Sequence, residues 1–117
     1  MTASRYSAVT IDHFQHPRNV GRMVDATRSG RMDDAASETT ITLYLKLARD
    51  GIVERATFRT FGCSACIAAS SVATELLTGR ADPLTPDEID SALDRLPDDK
   101  RYCAELVAEA SRRALIG

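Results

Sequence analysis

The chain contains no tryptophan, and only three tyrosines and three phenylalanines among its 117 residues. A platform on which unpaired bases stack needs exposed rings in number, so this scarcity argues against one. An excess of basic residues is missing too. Fifteen lysines and arginines stand against seventeen aspartates and glutamates, a formal charge of −2. No basic stripe runs through the chain, and a nucleic-acid footprint is therefore not expected. Nowhere does an apolar run approach the roughly 20 residues needed to span a bilayer. Met1 to Tyr6 lack the apolar core of a signal peptide and lead straight into a mixed amphipathic segment. The expectation is a cytoplasmic protein with neither a membrane nor a nucleic acid as partner.

Cysteine is also scarce. Cys63, Cys66 and Cys103 are the three, and an odd number suits neither a secreted disulfide framework nor a simple pair. In a reducing compartment, clustered cysteines more often bind metal or react than form disulfides. A chain of this length buries roughly two-thirds of the surface its unfolded form exposes, so it needs no cross-link to fold. Residues 1–117 are expected to form one domain.

The pattern along the chain predicts an α+β protein. Ser7 to His16 reads as a short helix stopped by Pro17, because proline disfavours helical geometry in the residue before it. From Arg18 to Thr39 no period emerges; a stretch of that length is either a functional loop or hides a weak strand. Thr40 to Leu47 alternates, with Ile41, Leu43, Leu45 and Leu47 on one face, as a half-buried strand does. Asp50-Gly51 then marks a hairpin turn, and Ile52 to Phe61 is the return strand. After Gly62, Ser64 to Thr78 is rich in small residues and helical, closed by Gly79. Thr85-Pro86-Asp87-Glu88 is a capping box with proline in the first turn, starting a helix to about Leu93. A last helix from about Asp98, read as its cap, aligns Cys103, Leu106, Val107, Ala110 and Ala114 on one face. Strands followed by helices indicate α+β.

Cys63 and Cys66 form a Cys-x-x-Cys where a strand runs through glycine into a helix. The first amides of a helix are unsatisfied donors, so a thiolate there is stabilised. Two thiolates at this spacing can grip one metal or one cluster iron. Cys103 completes a three-thiolate site if its helix packs against the junction. Free cysteine is also a common core filler, and spacing alone leaves that reading open for all three. A thioredoxin-like redox role is disfavoured, since no βαβ pattern surrounds the motif.

As a set, these segments resemble the iron–sulfur cluster assembly scaffolds of the IscU/NifU/SufU type. Tyr6-Ser7, Ile11-Asp12-His13-Phe14 and Pro17-Arg18-Asn19-Val20-Gly21 look like the family's opening helix and loop. Asp50-Gly51, with Ala56 to Cys63, is similar to its central hairpin. Ile67 to Ser71 and Ala73-Thr74-Glu75 resemble the helix behind it, and Leu96-Pro97, Lys100 and Cys103 match the approach to the last cysteine. The resemblance runs from Tyr6 to about Ala114. It implies a small antiparallel sheet with helices packed on one side. It further implies a scaffold, not an enzyme in the strict sense, on which a cysteine desulfurase delivers persulfide sulfur. A [2Fe–2S] cluster then forms and passes to apo iron–sulfur acceptor proteins.

The departures from the family pattern concern the site itself. In this register the family's first cysteine falls on Ser37, the aspartate two residues later on Thr39, and a histidine before the last cysteine on Tyr102. Only Cys63 and Cys103 carry over as ligands, with Cys103 also the implied persulfide acceptor. Cys66 stands where the family has a small residue, one turn along the same helix, and replaces the missing thiolate in this reading. The site is then Cys63, Cys66 and Cys103, kept in number and rearranged in place. A hydroxyl binds iron or zinc far more weakly than a thiolate, so Ser37 is a poor ligand. Loss of the aspartate implies a cluster held more tightly than in a delivery scaffold. Leu96-Pro97-Asp98-Asp99-Lys100 carries two acids where the family has an apolar pair read by a chaperone, so such recognition is not expected here. His13 reads as structural, His16 as a weak candidate fourth ligand, and Asp33, Asp34 and Glu38 as carboxylates near the altered corner. A small thiol, a partner or a second subunit of a homo-oligomer can also complete the coordination. Two other readings stand beside the scaffold: a zinc-bound sulfurtransferase like the SufU branch, and a degenerate interaction subunit without metal.

Overall fold

The computed structural model describes residues 5–116. Residues 1–4, on which the reading of a missing leader partly rests, and residue 117 lie outside the described residues. Helix α1 (Ala8–Gln15) is followed by strands β1 (Arg28–Asp34), β2 (Thr39–Leu47) and β3 (Val53–Phe61), then α2 (Ser64–Leu77), α3 (Pro86–Ala92) and α4 (Arg101–Leu115). The strands form an antiparallel sheet in the order β1-β2-β3. Ile41, Leu43 and Leu45 face inward and are fully buried. They meet Ala65, Ala68, Ala69 and Val72 of α2 and Val107, Ala110 and Ala114 of α4 in one core. The helices therefore cover one face of the sheet, the α+β arrangement expected from the pattern. On the other face Thr40, Thr42 and Tyr44 stay half-buried. At the hairpin Gly51 takes φ +87, a backbone region that favours glycine, and a bulge after Lys46 turns Leu47 partly out of the core.

The stretch without a period contains a full strand, β1. Its one buried residue is Gly30, and the reason is steric. A Cβ on Gly30 would lie 2.2 Å from the Ala110 carbonyl oxygen and 2.4 Å from the Ala114 nitrogen. Backbone of α4 occupies the place a side chain would take, so β1 has no apolar alternation to read. Further upstream, residues 19–21 run along the outer edge of β3, with Gly21 N–H donating to the Phe58 carbonyl at 2.7 Å and Phe58 N–H to the Asn19 carbonyl at 3.0 Å. This pairing satisfies an edge that would otherwise be open to another strand.

Caps and polar ties fix the remaining helices. Ser7 accepts from the Thr10 N–H at the start of α1, and the Thr10 hydroxyl donates to the Leu93 carbonyl at 2.8 Å. His13 is buried and bonds the Ser71 hydroxyl at 2.8 Å, tying α1 to α2. Burial disfavours a charged imidazole and holds its pKa below the ordinary value. The capping box of Thr85 and Glu88 forms, and Arg80 pairs with Glu88 at 2.6 Å, so the Glu88 carboxyl titrates at about 2. Before α4 the expectation needs correcting. Asp98 opens a 3-10 turn (Asp98–Lys100), and no side chain caps either that turn or α4. The chain bends through the turn first, and α4 begins at Arg101.

Candidate metal centre

The site lies where α2 and α4 begin. Phe61 ends β3, Gly62 turns the corner, and Cys63 stands at the N-cap of α2 with extended backbone and no side-chain cap bond. Gly62 leaves room for Thr39, whose side chain would be 3.1 Å from a Cβ there. Cys66 is the third residue of α2 and Cys103 the third residue of α4. Because both helices bury small and aliphatic faces in the same core, their starts are brought together. Two helix N-terminal ends, each carrying partial positive charge, thus converge on the sulfurs.

All three sulfurs lie within 4.8 Å of one another. Cys63 is 3.7 Å from each of the others, and Cys66 is 2.7 Å from Cys103. Cys66 and Cys103 are fully buried, whereas Cys63 is half-buried. The hydrogen bond between Cys66 and Cys103, aided by those with Cys63 and the Thr39 hydroxyl, brings the Cys66 thiol down to about 7 against the opposing cost of burial. That same bond, with burial and the neighbouring sulfur charge, pushes the Cys103 thiol up. Within the buried pair, ionisation is thus favoured at Cys66 and disfavoured at Cys103. Tyr102 directs its hydroxyl to within 3.8 Å of the Cys63 sulfur, and burial raises its pKa. The same tyrosine lines a hollow of about 750 Å³ with Pro86, Asp87, Asp98, Asp99 and Glu105.

The third corner of the site is built of hydroxyls. Thr39 is buried at the start of β2 and directly faces Asp34 across the β1–β2 pair. Ser37, in the turn between them, donates to Asp34 at 2.5 Å and lies 2.9 Å from the Thr39 hydroxyl. Hydrogen bonds thus run from Asp34 through Ser37 to Thr39, whose hydroxyl in turn favours ionisation of Cys66. The direct contact of Thr39 with Cys66 went unread in the sequence. Its only signal was the alternation of β2 extended one residue back. Asp33 engages Arg31 and Thr40, and His16 pairs with Asp12 on α1. Neither these residues nor Asp34 and Glu38 join the cysteines in the donor group.

Three soft sulfur donors in a half-buried cleft suit iron in a cluster or zinc, and suit magnesium or calcium poorly. No helix among the described residues is long and apolar enough to cross a membrane.

Residues 5–116 match the NifU-like N-terminal domain family. The chain is 42% identical to the iron–sulfur cluster assembly scaffold protein IscU 1 of Archaeoglobus fulgidus, over 95% of this chain and 74% of that protein. It is 34% identical to the scaffold protein IscU of Escherichia coli strain K12, over 94% and 91%. In fold it is similar to a proposed iron–sulfur cluster assembly scaffold protein for the SUF system from Fervidobacterium islandicum AW-1. That match has a TM-score of 0.71 at 16% identity and covers 95% of this chain and 96% of that one. With the three-sulfur cleft set at the same strand–helix junction that its sequence motifs mark, this chain belongs to the NifU-like N-terminal domain family.

Proposed function

We propose that this protein is an iron–sulfur cluster scaffold or carrier that holds a [2Fe–2S] unit through Cys63, Cys66 and Cys103. The observation that carries the proposal is the gathering of three sulfurs within 4.8 Å at two helix N-termini. Thiolates bind cluster iron, and the amides and dipoles of both helices offset the negative charge of the assembled group. Cys63, the one partly accessible sulfur, marks the side from which iron and sulfur enter. A cysteine desulfurase supplies sulfur as a persulfide: the Cys103 thiol takes the outer sulfur, and the desulfurase thiol leaves. An external reductant then brings that sulfur to sulfide. Apo iron–sulfur proteins receive the finished cluster. The hydroxyl corner of Ser37 and Thr39 in place of a thiolate and a carboxylate favours retention over rapid release.

The test is anaerobic reconstitution with ferrous iron and sulfide. A brown protein with visible absorption is expected, with the Cys66→Ala variant losing at least about 90% of the bound iron. Transfer to an apo-ferredoxin is expected to be slower than from an ordinary scaffold. A colourless protein that retains zinc supports the sulfurtransferase reading instead. If Cys66→Ala holds iron as well as the parent, Cys66 is not a ligand.

A further inference from the structure

The sulfur triangle is unequal, and its short side is not the one that the sequence spacing selects. A Cys-x-x-Cys at a helix start is the usual pair for oxidation, yet Cys63 and Cys66 stand 3.7 Å apart. Cys66 and Cys103, from different helices, are 2.7 Å apart and fully buried. We propose that oxidation of the metal-free site links Cys66 to Cys103, leaving Cys63 as a thiol, and that this bond abolishes metal binding until it is reduced.

The geometry favours this pair at each step. A disulfide has its sulfurs about 2.05 Å apart, so joining Cys66 to Cys103 needs ~0.7 Å of approach. Either bond to Cys63 needs ~1.7 Å. The partly exposed Cys63 is where a soluble oxidant arrives. With glutathione disulfide, the Cys63 thiolate attacks one sulfur, forms a mixed disulfide and expels one glutathione thiolate. Cys66, 3.7 Å away and the more readily ionised of the buried pair, then attacks the Cys63 sulfur and expels the second. Finally Cys103 attacks the Cys66 sulfur 2.7 Å from it, and Cys63 leaves as a thiolate toward solvent and takes up the proton that Cys103 gives up. In sum, two protein thiols lose two electrons and two protons, and one glutathione disulfide becomes two glutathione thiols. The final bond also ties α2 to α4 across all of α3. A Cys63–Cys66 bond would close only a local turn, and longer closed loops stabilise the chain more. With two of the three donors consumed, one thiolate remains, too few to hold a metal against water. The inference holds whether the cargo is a cluster or zinc alone.

The experiment uses the full, unmutated chain stripped of metal under nitrogen. It is incubated with glutathione disulfide, alkylated with iodoacetamide, digested with trypsin and mapped by mass spectrometry. The expected product is a monomer about 2 Da lighter before alkylation, its bond formed from two thiols. Peptide 60–80, alkylated at Cys63, is joined through Cys66 to peptide 102–112. Zinc binding, read by competition with a chromogenic chelator, falls at least about 100-fold and returns after dithiothreitol. A Cys63–Cys66 bond inside peptide 60–80 overturns the proposal. So does a disulfide between chains, a trio left reduced or only glutathionylated, or undiminished zinc binding by the linked form.

Discussion

Two corners meet at the candidate metal centre and are built from opposite chemistry. At the strand–helix corner, Gly62 to Cys66 brings two sulfurs against a third from α4. At the turn corner, Asp34 to Thr39 brings a carboxylate and two hydroxyls bonded to each other. The first corner carries soft, polarisable donors held by helices that are locked into the core. The second carries hard donors already satisfied within their own turn. A hydroxyl engaged with a carboxylate at 2.5 Å gives up that bond to reach a metal, and gains a weaker one. The difference teaches that the turn serves the site as an outer support. Through Thr39 it bonds Cys66, as partners behind the ligands orient and tune them in metal centres.

The largest effect is expected where the strand leading to the turn corner rests on α4. Backbone of α4 lies directly against β1 at Gly30. Gly30→Ala would place a methyl group 2.2 Å from a backbone carbonyl oxygen, and no rotamer change relieves a clash with backbone. The cost is expected to be about 3 kcal/mol or more, a fall in Tm of roughly 10 °C or more. Thermal unfolding of the metal-free protein checks this. An unchanged Tm would mean that α4 does not rest on β1.

That same position explains what could be read from the sequence. β2 was legible because Ile41, Leu43 and Leu45 point into the core and Thr42 and Tyr44 do not. β1 was not, because a glycine packed against backbone leaves no hydrophobic mark. The hairpin turn and the start of α3 followed from Asp50-Gly51 and from the Thr85–Glu88 box, whose local chemistry decides the backbone. At Asp98 local chemistry misled: a good capping residue stood there, but the chain passes through a 3-10 turn before α4. In the site, Cys63 and Cys66 stood out as rare residues at a strand–helix junction, and Cys103 on the apolar face of the last helix. Their mutual distances depend on how α2 packs with α4, which no spacing of residues encodes. The bond from Thr39 to Cys66 is a contact between remote segments and was equally invisible.

A second variant tests whether the turn corner lacks only a soft donor. Ser37→Cys puts a thiol where a hydroxyl now lies 2.9 Å from Thr39. If the turn can swing to the centre, zinc affinity rises about 10-fold, and cobalt(II) bound in place of zinc shows a stronger sulfur-to-metal charge-transfer band. Equal band intensity in variant and parent would mean that the Asp34 bonds hold the turn away from the metal, and that the corners stay distinct even with matched donors.

The smallest effect concerns the bond that couples the corners. Thr39→Val keeps the β-branched shape at the start of β2 and removes the hydroxyl that helps lower the Cys66 pKa. Since hydrogen bonds to a thiolate lower its pKa, losing this one moves the Cys66 thiol upward from about 7. Metal binding requires the thiolate, so the variant must release more protons on loading than the parent near neutral pH. Zinc affinity is expected to fall roughly 3- to 10-fold at pH 6.5. The gap narrows as pH rises toward 9, where Cys66 is deprotonated in both proteins. Chelator competition across that pH range measures it. A gap that stays constant with pH would assign Thr39 a packing role and leave the hydroxyl corner electrically silent.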